Sequence, residues 1–82
     1  MYYTYILISQ STGKLYIGQT KDIEDRLHRH NTGQSPATKG RGPWLLLFNK
    51  PFESRSEAIQ LESKLKSFKN HQYILDWIKK QQ

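Results

Sequence analysis

The chain has 82 residues, a formal net charge of +6 and no cysteine. A chain this short buries one modest core, and with no thiol it has neither a disulfide framework nor cysteine chemistry. The charge points to a polyanionic partner, nucleic acid above all, while no apolar run approaches the roughly 18–20 residues needed to span a bilayer.

Taken in chain order, "YYTYILIS", residues 2–9, is rich in β-branched and aromatic residues and reads as a strand. "YYTYILISQ" lacks the basic n-region and small-residue cleavage site of a signal peptide, so a single cytoplasmic domain over residues 1–82, with no membrane partner, is expected. "QSTG" (10–13) is a turn cluster, and "KLYIG" (14–18) is the returning strand of a hairpin. With Gln10 to Gly13 as the loop, Ser9 pairs with Lys14, Leu7 with Tyr16 and Tyr5 with Gly18. Side chains alternate along each strand. Tyr2, Ile6, Ile8, Leu15 and Ile17 then share one face, and Tyr3, Tyr5, Leu7 and Tyr16 the other. Tyr5 and Tyr16 become diagonal neighbours, roughly 7–8 Å apart at the backbone.

Thr20 is placed to cap a helix starting near Lys21, with Asp22 in its first turn, and Gly33 to end it near residue 32. "GQSPATKGRGP" (33–43) is an irregular loop. "WLLLF" (44–48) is a continuous apolar run, the pattern of a strand covered on both faces. "SRSE" (54–57) is a capping box that opens a helix to about Phe68 with Ala58, Leu61, Leu65 and Phe68 as its buried stripe. A last helix, about 71–80, carries Ile74, Trp77 and Ile78 on one face, with Asn70 as its cap. The order β-β-α-β-α-α makes an α+β fold, a small three-stranded antiparallel sheet flanked by helices.

Several residues stand out against this frame. Glu62 lies one turn from Ala58 and three residues from Leu65, on or beside an apolar stripe. A carboxylate facing a core is costly unless paired or bound to a metal. The plainer alternative is an edge residue that reaches water or pairs with a lysine. Arg26 and His30, at i and i+4, are neighbours on the first helix. They are either a solvated basic face or a planar phosphate fork beside a proton-carrying imidazole. His28 lies on another face, and three histidines without cysteine make no zinc site. Tyr5 and Tyr16 are either strand aromatics packed under a helix or functional groups. A free tyrosine titrates near pH 10, so the second role needs a nearby cation or metal to stabilise a phenolate. No acidic residue lies between Asp25 and Glu53, whereas Arg26, Arg29, Lys39, Arg41 and Lys50 do. Arg29, Lys39 and Arg41 are therefore candidates to contact phosphates.

Together these residues resemble the GIY-YIG nuclease family over nearly the whole chain, its short single-domain bacterial members above all. The "YIG" half is literal in Tyr16-Ile17-Gly18. The "GIY" half is reduced to Tyr3-Thr4-Tyr5, which keeps only the final Tyr5. Then follow "QTKDIEDRLHRHN", with Arg26 and His30-Asn31 at the family's positions, the "ATKGRGPW" loop, and "RSEAIQLESKLKSF", which places the metal-binding glutamate at Glu62. The resemblance implies metal-dependent hydrolysis of DNA phosphodiesters, in repair, recombination or processing, with one Mg²⁺ or Mn²⁺ held by Glu62. It implies Tyr16 as general base, Arg26 as phosphate clamp, and Tyr5 and His30 as groups that position the water and the scissile phosphate. Relatives that cut defined sequences or lesions carry further domains, so weak sequence preference or a delivery protein is expected. The alternative is a nucleic-acid binding module that keeps the fold without turnover.

Overall fold

The computed structural model describes residues 1–36, 38–68 and 70–81; Ala37 of the "ATKGRGPW" loop lies outside them. The elements are β1 (Tyr2–Ser9), β2 (Leu15–Thr20), α1 (Ile23–Asn31), β3 (Trp44–Phe52), α2 (Arg55–Lys66) and α3 (His71–Lys80). They form one antiparallel sheet in the order β2-β1-β3 with three helices around it.

The hairpin takes the predicted register. Tyr5 faces Gly18, Leu7 faces Tyr16, and Ile8 faces Leu15. Ser9 N donates to Lys14 O at 2.9 Å and Gly13 closes the turn with φ +75°. The strand runs two residues beyond Gly18, to Thr20. Thr20 is not the helix cap. Its hydroxyl accepts from Asp22 N at 3.2 Å, and it is Asp22 that caps α1, accepting from Asp25 N at 3.0 Å. A carboxylate at that position satisfies a free N–H and meets the positive end of the helix dipole. The helix ends at Thr32, and Gly33 takes φ +77°, a backbone state that a Cβ disfavours.

The two sheet faces bury different chemistry. Ile6 and Ile17 pack with Leu65, Ile74 and Ile78, so α2 and α3 cover this face. Tyr5, Leu7 and Trp44 pack with Tyr16, Ile23 and Leu27, so α1 covers the other. The helix that carries Arg26 and His30 and the helix that carries Glu62 therefore lie on opposite faces of the sheet. A central strand with two apolar faces is dehydrated only if helices lie on both sides.

The reading of "WLLLF" is also corrected. β3 is an edge strand, nine residues long, and Leu45 and Leu46 are exposed. The unbroken apolar run has another cause. Ile6 pairs with Phe48 while Leu7 pairs with Leu46, so an extra residue, Leu47, sits in a bulge. Leu47 and Phe48 thus both pack on the aliphatic core, and Trp44 turns to the tyrosine face. The true central strand is β1, whose Thr4 donates to Ala58 O of α2 at 2.7 Å.

Ser54 caps α2, accepting from Glu57 N at 3.2 Å, and Asn70 caps α3, accepting from Tyr73 N at 3.2 Å. The stripe Ala58, Leu61 and Leu65 faces inward as predicted, but α2 ends at Lys66, with Ser67 as cap, rather than at Phe68. Leu65 is fully buried. Leu65→Ala should cost about 3 kcal/mol, the lost transfer energy plus a cavity. Chemical denaturation should show a lower midpoint at unchanged slope; a loss under about 1 kcal/mol would place Leu65 outside the core.

Candidate active site

β1 and β2 supply the two tyrosines, α1 supplies Arg26 and His30, and α2 supplies Glu62. The Tyr5 and Tyr16 ring centroids are 6.3 Å apart. The imidazole of His30 stands against both, 4.6 Å from the Tyr16 ring and 6.0 Å from the Tyr5 ring. Trp44 closes the cluster edge-on to Tyr16 at 6.4 Å. His30 is the buried residue of α1, so its ring belongs to the cluster's interior, not to a solvated basic face.

Gly18 sets how Tyr5 lies on the sheet. Tyr5 lies across β2 at Gly18, and a Cβ there would come within 2.6 Å of the Tyr5 hydroxyl. Only glycine lets that hydroxyl lie over the edge strand. Glu62 is on α2, the helix that covers the other face of the sheet, and its carboxylate charge adds a small influence that holds the Tyr5 proton on.

The Tyr5 hydroxyl and His30 Nε2 are 3.0 Å apart, and His30 Nδ1 lies 2.8 Å from Thr38 Oγ1. Burial is the main influence holding the Tyr5 phenol protonated well beyond its usual range; the Tyr16 phenol acts next in the same direction, Arg26 opposes, and Glu62 adds to the effect. Burial first, and then the Arg26 guanidinium, push His30 below its ordinary value. Tyr5 is therefore a neutral phenol and His30 a neutral imidazole near pH 7.

The His30 shift has a consequence for stability. The folded chain binds the His30 proton less readily than the unfolded chain, so His30 costs nothing above about pH 6.5. As the pH falls below that value, protonation favours the unfolded chain and stability declines. Urea denaturation between pH 8 and pH 5.5 should show this decline, and His30→Gln should flatten it. An unchanged slope in that variant would remove His30 as its source.

Arg26 is half-buried, and its Nε is buried with no hydrogen-bond partner among the described residues. An unmet guanidinium N–H costs about 1–3 kcal/mol, so the cluster is one acceptor short. Glu62 is half-buried, with its carboxylate 2.8 Å from Lys66 Nζ. Among the described residues no group of three or more histidines or carboxylates converges. A lone hard oxygen donor suits a magnesium-like cation, which keeps most of its own waters, provided that Lys66 releases the carboxylate. The residues present fit such an ion.

The other candidates stand apart from this cluster. Arg29 is paired with Asp25 at 2.9 Å on the exposed side of α1. Lys39 and Arg41 are exposed on the loop between α1 and β3. That loop is tethered, with Ser11 Oγ donating to Arg41 O at 3.1 Å and Gln10 N to Pro43 O at 2.9 Å. Two residues with clear structural work were given no contact in the sequence, Asn31 appearing only within the family resemblance. Thr38 contacts His30, and Asn31 clasps Trp44, accepting from its N at 2.6 Å and donating to its O at 3.1 Å. Asn31 was visible beside His30, but nothing local tied it to β3. Thr38 carried no signal in a polar loop.

A three-stranded antiparallel sheet with Tyr5, Tyr16 and His30 clustered on one face, Arg26 on the same helix as His30, and Glu62 on the helix behind has the make-up of a GIY-YIG domain. The family model for the GIY-YIG catalytic domain matches residues 1–74, and the chain belongs to that family. Its members are generally nucleases, with nucleic acid as substrate and a divalent metal as cofactor. The chain is similar to short bacterial UPF0213 proteins. One from Staphylococcus saprophyticus subsp. saprophyticus is 41% identical over 68 residues, 82% of each chain. One from Streptococcus agalactiae is 41% identical over 78 residues, 94% of this chain and 86% of the relative. The solution NMR structure of a UPF0213 protein from Bacillus halodurans superposes with a TM-score of 0.61 at 31% identity, covering 96% of this chain and 84% of the other. No helix among the described residues is long and apolar enough to cross a membrane.

Proposed function

We propose that the protein is a divalent-metal-dependent endonuclease that hydrolyses DNA phosphodiester bonds. The observation that carries this reading is the buried Arg26 Nε without an acceptor, on the helix that brings His30 to Tyr5 and Tyr16. A phosphate oxygen supplies the missing acceptor, and a guanidinium fork suits its geometry. A carboxylate ligand from a protein would do so too, but the net charge of +6 and the exposed Lys39 and Arg41 favour an extended polyanion.

In this mechanism Arg26 binds the scissile phosphate and stabilises the charge that builds on its oxygens. Tyr16, half-buried at the cluster's rim, first loses its own phenol proton to solvent, with the positive charge of the site favouring the phenolate, and the phenolate then takes the proton of the attacking water. Tyr5, its hydrogen directed at His30, presents its remaining oxygen lone pairs to hold that water in line. His30 holds Tyr5 in place, and the pair screens the water from bulk solvent. Glu62 would hold the divalent cation, which when bound neutralises charge on the leaving oxygen. Lys39 and Arg41 grip flanking phosphates without reading sequence. The protein would act in repair, recombination or processing, on substrates delivered by a partner or chosen by shape.

The test is nicking of supercoiled plasmid by purified protein in magnesium, in manganese and in EDTA. Open-circular product with either metal and none in EDTA supports the reading. Plasmid binding with no product in either metal would favour a binding module that retains the fold.

A further inference from the structure

His30 is the one buried imidazole among the described residues, and both of its ring nitrogens have protein partners. Which nitrogen carries the proton follows from accounting for the hydrogens around it. Thr38 is 1% exposed and its hydroxyl donates to Ser35 O at 3.4 Å. With its hydrogen used there, Thr38 Oγ1 accepts from His30 Nδ1–H. His30 Nε2 is then bare and accepts from the Tyr5 hydroxyl. Every hydrogen in the chain Tyr5 → His30 → Thr38 → Ser35 has an acceptor. In the opposite tautomer Nε2–H donates to Tyr5. The Tyr5 hydrogen, on a residue 2% exposed, then has no acceptor among the described residues. Buried polar hydrogens are rarely left so.

We propose that Thr38 is a positioning residue that holds His30 in the Nδ1–H tautomer and thereby fixes Tyr5 as the donor of the Tyr5–His30 bond. Its effect on turnover rests on the nuclease reading above; the tautomer itself does not. The consequence for the site is directional. With the Tyr5 hydrogen committed to His30, the remaining lone pairs of Tyr5 stay free to accept. Release of the clamp lets His30 take the other tautomer, in which Tyr5 accepts from His30 and no longer donates to it. Thr38 is also secured from the far side, since its carbonyl accepts from Trp44 Nε1 at 3.2 Å and from Arg41 N at 3.2 Å. The loop that carries Lys39 and Arg41 to the surface thus holds the clamp within.

The experiment is two-dimensional proton–nitrogen NMR of the histidine ring nitrogens near pH 8, with Thr38→Val and Thr38→Ser beside the wild type. Valine keeps the shape of threonine without its hydroxyl; serine keeps the hydroxyl. The expected result is Nδ1–H at His30 in the wild type and in Thr38→Ser, and a mixed or Nε2–H signature in Thr38→Val. Plasmid nicking should fall about tenfold in Thr38→Val, the worth of one hydrogen bond, and recover in Thr38→Ser. Nε2–H in the wild type overturns the proposal without recourse to any variant. An unchanged tautomer in a folded Thr38→Val overturns the role of Thr38. The expected tautomer pattern with no nicking in any sample supports the clamp and counts against the nuclease reading alone.

Discussion

Glu62→Ala should lose metal-dependent nicking by about 10³-fold or more while the protein remains folded. The size follows from the several kcal/mol that a divalent cation supplies at a phosphoryl oxygen, at 1.4 kcal/mol for each factor of ten. Among the described residues no cluster of acidic or histidine side chains could take over the ion. The folding cost is small, because the partner lost is Lys66, one turn away on α2 and mostly exposed. Such i,i+4 pairs are worth about 0.3–0.5 kcal/mol. Plasmid nicking in magnesium and manganese measures the first effect, and thermal denaturation the second. Calorimetric titration with Mn²⁺ supplies an independent readout, since binding should disappear with the carboxylate. Equal nicking by wild type and Glu62→Ala would mean that Glu62 holds no catalytic metal, or that the activity belongs to a contaminant.

The second large effect is expected from Tyr16→Phe, which should cut turnover by roughly 10²–10⁴-fold, the usual worth of a positioned general base. DNA affinity, followed by fluorescence anisotropy, should stay within about twofold if, as proposed, the contacts to phosphate come from Arg26, Lys39 and Arg41. Phenylalanine keeps the ring and its packing against His30 at 4.6 Å and Trp44 at 6.4 Å, so the variant isolates the hydroxyl. The two tyrosines are not equivalent. The Tyr5 hydroxyl is within hydrogen-bond distance of His30 and is held protonated mainly by burial. Tyr16 sits further out, half-buried. Near-normal turnover in Tyr16→Phe would remove Tyr16 as the base and turn attention to Tyr5.

Local chemistry was legible because local interactions decide it. The capping box at Ser54 and the cap at Asn70 need only a side chain and a backbone N–H three residues away. The hairpin register followed from loop length and alternation. Where two local signals competed, the sequence misled. Thr20 and Asp22 are both good caps; the strand continued through Thr20 and left Asp22 to cap. "WLLLF" matched a buried strand because a bulge turned Leu47 and Phe48 toward one core, and a bulge leaves no mark on hydrophobic spacing.

The sequence by itself determined which residue types are available for chemistry and which side of each element is apolar. It placed Tyr5 beside Tyr16 through the hairpin and Arg26 beside His30 through helical spacing, both distances set by backbone geometry. Only the tertiary structure decided the rest. Periodicity says that a helix has an apolar face, not which side of the sheet that face will cover. Burial of both faces of β1 put α1 and α2 on opposite sides. Gly18 let the Tyr5 hydroxyl lie over β2, and the loop-borne Thr38 came to contact His30. Those contacts join residues far apart in the chain, and such contacts are fixed by the packing of the whole molecule.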